Sequence, residues 1–278
     1  MPGTLYICAT PIGNLEDITI RVLNTLKSAD LIAAEDTRNT LRLLNHFDIK
    51  TPLTSYHEYN KFEKADILVE KLQNGTNIAL VTDAGTPAIS DPGEELVRRA
   101  HAAGITVTSL PGACACITAL TLSGLSTRRF SFEAFLPPDK KERKRILEIL
   151  KTETRTIVLY ESPHHIRATL EELNSALGNR KLTICRELTK LHETVTLTTF
   201  REALAFFEEN APRGEYVLVI EGISQEILDE KDRRKWDSMS ISDHVKLYTD
   251  QGTPKKEAMK LVAKDRGVPK REIYQALL

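Results

Sequence analysis

Short apolar runs recur along this chain, and most are followed at once by a polar, turn-rich loop. Leu5-Tyr6-Ile7-Cys8-Ala9, Leu31-Ile32-Ala33-Ala34, Asn77-Ile78-Ala79-Leu80-Val81 and Ile105-Thr106-Val107-Thr108-Ser109-Leu110 have the length and content of buried strands. Segments of helical period lie between them. Ile18, Val22, Leu23 and Leu26 share a face of a helix over 18–29, and Leu41, Leu43 and Leu44 mark a second. A third helix is read over 61–73, and Glu94 to Ala100 opens a fourth. Strands alternating with helices predict a mainly parallel sheet covered on both faces. In such a sheet the strand ends share one edge, and ligands bind in the loops there.

The longest of these loops is Thr82-Asp83-Ala84-Gly85-Thr86-Pro87-Ala88-Ile89-Ser90-Asp91-Pro92-Gly93, with two aspartates, two glycines and two prolines. Glycine admits close backbone approach and positive φ, and proline fixes φ. Its bland reading is a turn with several punctuators, Asp83 bracing its own backbone. Ser55 to Tyr59 reads as a polar-aromatic loop.

The pattern changes after residue 122. Phe130 to Phe135, Thr156 to Tyr160, Leu182 to Cys185, Thr194 to Thr198 and Tyr216 to Ile220 read as strands, and Asp139 to Lys151 as a charged helix. From Ser224 the chain is polar and helical, with helices over Ser242 to Tyr248, Pro254 to Lys264 and, after Pro269, Lys270 to Leu277. Two short helices around Gly267 suggest a helix-turn-helix-like module. Three parts are expected: an α/β domain over 1–122, a second α/β domain over 123–223, and a helical tail over 224–278.

Composition narrows the function. A net charge of −1 over 278 residues argues against a uniformly basic nucleic-acid coat, yet the tail is locally basic, carrying Lys255, Lys256, Lys260, Lys264, Arg266, Lys270 and Arg271. No apolar run reaches membrane-spanning length, and the first residues lack the basic flank of a signal peptide. A cytoplasmic protein without membrane contact is expected. The four cysteines are scattered, so reduced core thiols are expected and a metal site is not. The patterns of phosphate-binding P-loops, Rossmann dinucleotide turns, serine nucleophile elbows and zincin helices are all missing.

What remains is seven polar stretches in order: Ala9 to Leu15, Glu35-Asp36-Thr37-Arg38, Thr82 to Gly93, Pro111-Gly112-Ala113, Glu161-Ser162-Pro163-His164, Arg186 to Glu193, and Gly214 to Gly222. In these the chain resembles the tetrapyrrole methylase superfamily and, within it, the methyltransferases of small-subunit (16S) ribosomal RNA. The resemblance covers residues 3 to about 223. It implies two α/β domains with S-adenosylmethionine in the cleft between them, a homodimer, and a 2′-O-methylated cytidine near the decoding centre as product. Ribosomal RNA or the small ribosomal subunit is the partner it implies. Relatives often continue the Glu-Ser-Pro-His stretch with arginine; here His165 follows, with Arg167 two residues on.

By that resemblance Pro11, Asp83, Thr86, Cys114, Ala115, Leu188 and Gly222 are expected at the cofactor, Cys114 through packing and backbone rather than thiol chemistry. A ribose hydroxyl is a poor nucleophile at neutral pH and benefits from a positioned base. Glu35, Glu187, Lys190 and His192 are the candidates, Lys190 if burial near Arg38 or Arg186 lowers its pKa. Surface or interdomain ion pairs are the bland reading of these four candidates; Glu35, Arg38, Glu187 and Lys190 are expected to gather beside the transferred methyl. Lys140, Lys141, Lys255, Lys256 and Arg271 are expected to meet RNA phosphates. Two other functions stay open: a methyltransferase of porphyrin-like small molecules, and a non-catalytic RNA-binding assembly factor.

Overall fold

A computed structural model describes residues 1–277. By contact density the chain divides into two units, one of residues 1–147 and 156–221 and one of residues 148–155 and 222 onward.

The larger unit holds two five-stranded sheets. The first contains β1 (Thr4–Cys8), β2 (Leu31–Ala34), β3 (Leu53–Ser55), β4 (Ile78–Val81) and β5 (Thr106–Leu110), in the order β3-β2-β4-β1-β5. Every pairing is parallel, with Leu5 opposite both Ile78 and Val107. All four residues of the central β4 are buried, and alternation divides them between two cores. Ile78 and Leu80 join Leu5, Leu68, Leu72 and Leu96 on one face; Ala79 and Val81 join Val22, Leu26, Ile32 and Leu44 on the other. The connecting helices are α1 (Ile20–Ser28), α2 (Thr37–His46), α3 (Lys61–Gln73) and α4 (Glu94–Ala102). Thr19 and Asp36 cap α1 and α2 with their side chains, satisfying backbone donors that a helix start leaves free.

The second sheet runs β6-β7-β10-β8-β9, from β6 (Phe130–Ala134), β7 (Thr156–Glu161), β8 (Lys181–Arg186), β9 (Thr194–Thr199) and β10 (Tyr216–Ile220). Only β6 and β7 pair in parallel; the remaining pairs are antiparallel. α5 (Ala115–Leu122) brings Cys116, Ala119 and Leu120 onto Val158, Cys185, Val217 and Val219 of this sheet. α6 (Lys140–Leu150), α7 (Ile166–Leu177) and α8 (Phe200–Glu209) complete the α/β pattern. α8 begins with a capping box between Thr199 and Glu202.

The smaller unit is helical: α9 (Gln225–Arg234), α10 (Ile241–Asp250), α11 (Lys255–Arg266) and α12 (Lys270–Ala276). Val245, Ala258, Met259, Val262, Ala263 and Ile273 form its core. Gly267 turns the chain between α11 and α12 at φ 62°, the left-handed helix end that glycine favours. Buried His244 stacks on Trp236 at 3.8 Å and takes an Arg266 Nε hydrogen bond at Nδ1. Burial and the Arg266 charge keep its pKa below the usual histidine range. Among the described residues no helix is long and apolar enough to cross a membrane.

Pattern reading picks no element over Ala115–Leu122, because α5 is apolar on all sides and shows no helical period. It also places no strand before Ser55, since the three residues of β3 are too few to display alternation.

Candidate functional site

Because the strands of the first sheet are parallel, the loops after β1, β2, β4 and β5 gather at one edge, and the structure ties them together. Thr10 and Gly85 exchange two backbone hydrogen bonds of 2.8 and 3.0 Å, and Thr10 Oγ1 donates to the Thr82 carbonyl at 3.0 Å. Thr86 Oγ1 donates to the Ala113 carbonyl at 3.0 Å, linking the loops after β4 and β5. Gly85 makes its turn at φ 89°, and Ala88 and Ser90 hold the same left-handed region, each at φ 67°, without glycine's freedom.

These loops form one wall of a cavity of about 460 Å³. It is lined from the first-sheet side by Ile12, Glu35, Thr82 to Thr86, Ile89, Ser90 and Asp91, with Cys114 and Ala115 at the start of α5. The second sheet supplies Phe135, Tyr160 to Pro163, Leu188, Lys190 and Glu215 to Val217. Tyr160 is fixed between Phe132 and Phe135, at 5.0 and 5.7 Å between ring centres, and its Oη accepts the Cys116 N–H at 3.1 Å. The loop after β8 is also left-handed at non-glycine residues, Glu187 at φ 52° and Thr189 at φ 65°.

Three carboxylates sit on the first-sheet side. Glu35 Oε2 accepts Thr82 Oγ1 at 2.5 Å. Asp83 does not brace its own turn: Oδ1 accepts the Asp36 N–H at 3.2 Å and Oδ2 accepts Asn39 Nδ2 at 3.0 Å. It thereby locks the loop after β4 to the loop after β2. Asp91 is partly buried, and burial first, then the Glu35 charge, pushes its pKa up to about 6. A second cavity, of about 620 Å³, shares Glu35, Ser90 and Asp91 with the first.

The expected residues do not all meet. Asp83, Thr86, Cys114, Ala115 and Leu188 line the cavity together, whereas its lining includes Ile12 rather than Pro11. Gly222 is not a lining residue either; a side chain there would lie 2.3 Å from the Thr154 carbonyl oxygen, which accounts for the glycine by packing alone. Glu35 and Lys190 both line the cavity, but Arg38 does not. Its side chain is 86% exposed and forks onto Asp36 with a shortest contact of 2.6 Å, holding Asp36 down at about 2.

Lys190 is the clearest correction. Its Nζ donates to Glu187 at 2.9 Å and to Glu215 at 2.8 Å. Burial pulls its pKa down, but the bonds and charges of Glu215 and Glu187 outweigh burial and keep the pKa above the ordinary lysine value. Lys190 is therefore a fixed cation and not a base with a lowered pKa. Glu187 is resisted by burial yet held low by the Glu215 N–H and by Lys190, and it does not line the cavity. His192 is exposed and outside the lining. Sequence reasoning passed over Asp91, Tyr160 and Glu215. Asp91 lay within the loop already singled out, and two carboxylates eight residues apart in one loop were the available signal.

Basic surfaces occur in two places. Lys140 and Lys141 are exposed on α6, while Arg143 turns inward to Glu172 and Thr169. In the helical unit, Lys255, Lys256, Lys270 and Arg271 border a groove of about 840 Å³ with Met259, Tyr274, Gln275 and Leu277. His165 precedes α7, exposed and without a side-chain capping bond.

Comparison with known proteins agrees with this architecture. Residues 4–204 match the family model for tetrapyrrole (corrin/porphyrin) methylases. A ribosomal RNA small subunit methyltransferase I from Halalkalibacterium halodurans is 52% identical over 272 residues, covering 98% of this chain and 93% of that protein. Proteins of the same name from Synechocystis and Bacillus subtilis are 48% and 47% identical over 99% of this chain, covering 98% and 94% of their own lengths. Among solved structures, a diphthine synthase aligns at TM-score 0.63 and 14% identity, covering 79% of this chain and 90% of that one. Uroporphyrin-III-C-methyltransferase from Thermus thermophilus aligns at 0.55 and 20% identity, covering 78% and 94%. At these identities the two structures establish the fold alone. The chain belongs to the ribosomal RNA small subunit methyltransferase I family of the tetrapyrrole methylases.

Proposed function

We propose that the chain transfers a methyl group from S-adenosylmethionine to the 2′-hydroxyl of a cytidine in small-subunit (16S) ribosomal RNA, near the decoding centre. The observation that carries this is the two-sided cavity. Carboxylates of Glu35, Asp83 and Asp91 line one side, and Ile12, Leu188, Val217, Phe135 and Tyr160 supply apolar and aromatic surface. A sulfonium donor with an ammonium group and an adenine ring fits such a lining. Its volume lies within the range of small-molecule sites.

The donor supplies an activated methyl, so the protein's task is alignment. Asp83, with two partners already fixed, has acceptor capacity left for an amino group or a ribose hydroxyl. Thr86, Cys114, Ala115 and Leu188 would offer backbone groups and close packing to the same ligand. Lys190, clamped by Glu187 and Glu215, would hold one donor proton towards the acceptor strand without giving up its charge. We assign donor binding mainly to residues 1–122, the facing wall to 123–223, and RNA capture to the tail over 224–278 and to Lys140 and Lys141. Pro11 and Gly222 would act by shaping loops rather than by contact, and Arg38 from outside the cavity. A cytoplasmic homodimer acting on the small subunit completes the proposal.

Incubation with labelled S-adenosylmethionine and small subunits, naked 16S RNA or porphyrinoids tests it. Label on one cytidine ribose is the expected result. Label on a porphyrinoid would make it a small-molecule enzyme, and tight RNA binding with no transfer would make it an assembly factor. The basic groove favours RNA over a porphyrin.

Replacing Lys255, Lys256, Lys270 and Arg271 by alanine should lower the slope of log affinity for the RNA against log salt by roughly 3, if all four meet phosphates. Cofactor affinity should stay unchanged. An unaltered slope in a filter-binding titration would remove the tail from RNA capture. Substitution is preferable to truncation, since residues 148–155 belong to the same unit and Glu153 accepts the Ile223 N–H at 2.9 Å.

A further inference from the structure

Cys114 and Cys116 face each other where the loop after β5 runs into α5. Their Sγ atoms lie 3.5 Å apart, in hydrogen-bond contact. Ala115 between them is already helical. Residues two apart in a helix sit roughly 5.4 Å apart at Cα, within the range that a disulfide spans. Cys114 lines the cavity and is partly exposed, so a thiol reagent small enough to enter reaches it. Cys116 is buried behind it, in the core formed with Ala119, Leu120 and Val158. The remaining cysteines do not share this position. Cys8 and Cys185 are buried, and burial pushes their thiols up to about 12 and about 11, which leaves them inert.

We infer that Cys114 and Cys116 form a redox modification site, where a low-molecular-weight disulfide oxidises the pair to an intramolecular bridge that weakens donor binding. The bridge itself is independent of the proposed function; its effect on the donor rests on S-adenosylmethionine occupying the cavity. In the first step the Cys114 thiolate attacks one sulfur of the small disulfide. A bond forms between them, and the other sulfur leaves as a thiolate with the electron pair. In the second step Cys116 gives up its proton, its sulfur bonds to the Cys114 sulfur, and the remaining small thiolate leaves. The two leaving thiolates take up the protons of the two cysteines. The pair loses two electrons, and the small disulfide gains them.

Cys114 is the better first nucleophile. The Cys116 thiol hydrogen-bonds to it, and the Ile117 and Cys116 N–H groups at the helix start add to that bond. Together they outweigh burial and pull its pKa down to about 6. Cys116 is raised by that same bond, by burial and by charge on Cys114. Once Cys114 is capped, its charge and the bond to it are gone, and Cys116 becomes easier to ionise. The bridge also reshapes the cavity wall. Cys116 is anchored by its core and by its N–H, which Tyr160 Oη accepts at 3.1 Å. Closing 3.5 Å to about 2 Å therefore falls on Cys114. The Cys114 carbonyl accepts both the Thr118 N–H and Thr118 Oγ1 at 3.0 Å, and the adjoining Ala113 carbonyl accepts Thr86 Oγ1. Turning Cys114 disturbs Thr86, Cys114 and Ala115, three residues of the cavity lining.

The test is a titration of the full chain in mixtures of reduced and oxidised glutathione, with and without saturating S-adenosylmethionine. Samples are quenched in acid, labelled with a maleimide under denaturing conditions and read by peptide mass. The peptide holding Cys114 and Cys116 should lose two hydrogens and take no label, while Cys8 and Cys185 are labelled. Oxidised protein should bind S-adenosylmethionine about tenfold more weakly. Reciprocal linkage then requires saturating donor to raise the midpoint potential of the pair by about 30 mV. Cys116→Ala should stop at a mixed disulfide of glutathione with Cys114, and Cys114→Ser should take up no glutathione. If Cys116→Ala does not fold, Cys114→Ser and the wild-type midpoint decide. A peptide that keeps both thiols, a bridge between two copies, or a midpoint and donor affinity that stay in place overturns the inference. Reduced wild type that binds no S-adenosylmethionine overturns the proposed function instead, and the peptide mass then decides the bridge on its own.

Discussion

Gly13→Val is expected to weaken S-adenosylmethionine binding by about 100-fold, roughly 2.7 kcal/mol, in a chain that still folds. A Cβ at Gly13 would lie 2.4 Å from Lys190 Cγ, 2.9 Å from Thr189 Oγ1 and 3.1 Å from the Leu188 carbonyl oxygen. Lys190 cannot swing away freely, since its ammonium is fixed at both Glu187 and Glu215. The Leu188 carbonyl is backbone and yields only if the loop moves. Relief therefore requires the loop after β1 and the loop after β8 to part. Ile12 lines the cavity from the first loop, and Leu188 and Lys190 line it from the second, so parting them opens its wall. The position is exposed and outside both cores of the first sheet, which is why folding should survive. Calorimetric titration with cofactor, next to a thermal melt by circular dichroism, separates the two effects. A melting temperature that collapses, or an affinity that holds, would contradict this account.

Glu161→Ala should have the opposite balance and act first on stability, by roughly 3 kcal/mol. Glu161 is 6% exposed, and its oxygens accept the Ser162 N–H at 2.7 Å and Thr169 Oγ1 at 2.5 Å. Thr169 in turn accepts Arg143 Nη2 at 2.8 Å. Alanine leaves a buried hydroxyl and an amide without their charged acceptor, and such hydrogen bonds are each worth about 1.5–3 kcal/mol. Glutamine keeps an acceptor and should cost less. Urea unfolding of the three proteins measures the difference. Ser162 and Pro163 line the cavity beside Glu161, so cofactor affinity should fall as well, by a smaller factor than in Gly13→Val.

The first sheet was readable because burial on both faces leaves a plain mark. Ile78 to Val81 is a run of four apolar residues, and the loop that follows it is long and rich in Gly and Pro. That Asp83, Thr86, Cys114 and Ala115 share one site was expected from the resemblance, and they line one cavity. The facing wall was harder. Tyr160 lies in a continuous apolar run that is buried on both faces, and nothing in its neighbourhood shows which side chain meets a cavity. Glu215 and Lys190 are 25 residues apart, and their pairing arises only when β8 and β10 lie side by side. Arg38 illustrates the limit of charge reading. A basic residue beside an acidic motif can serve the site or its neighbour, and here a fork onto Asp36, two residues back, takes it out of the cavity. Gly222 illustrates another: packing and ligand approach both demand glycine, and the sequence does not distinguish them.

The left-handed residues described above bear on how far this protein could be hardened against heat. Ala88 and Ser90 in the loop after β4, and Glu187 and Thr189 in the loop after β8, hold conformations that cost a side-chain-bearing residue of order 1 kcal/mol or more. A search for thermotolerant variants would find its easiest gains by relaxing these positions. Each gain would also free a loop that contributes to the cavity wall. Heat tolerance and a preformed cavity therefore draw on the same few residues, and substitutions on the far sides of the helices are the safer place to look for it.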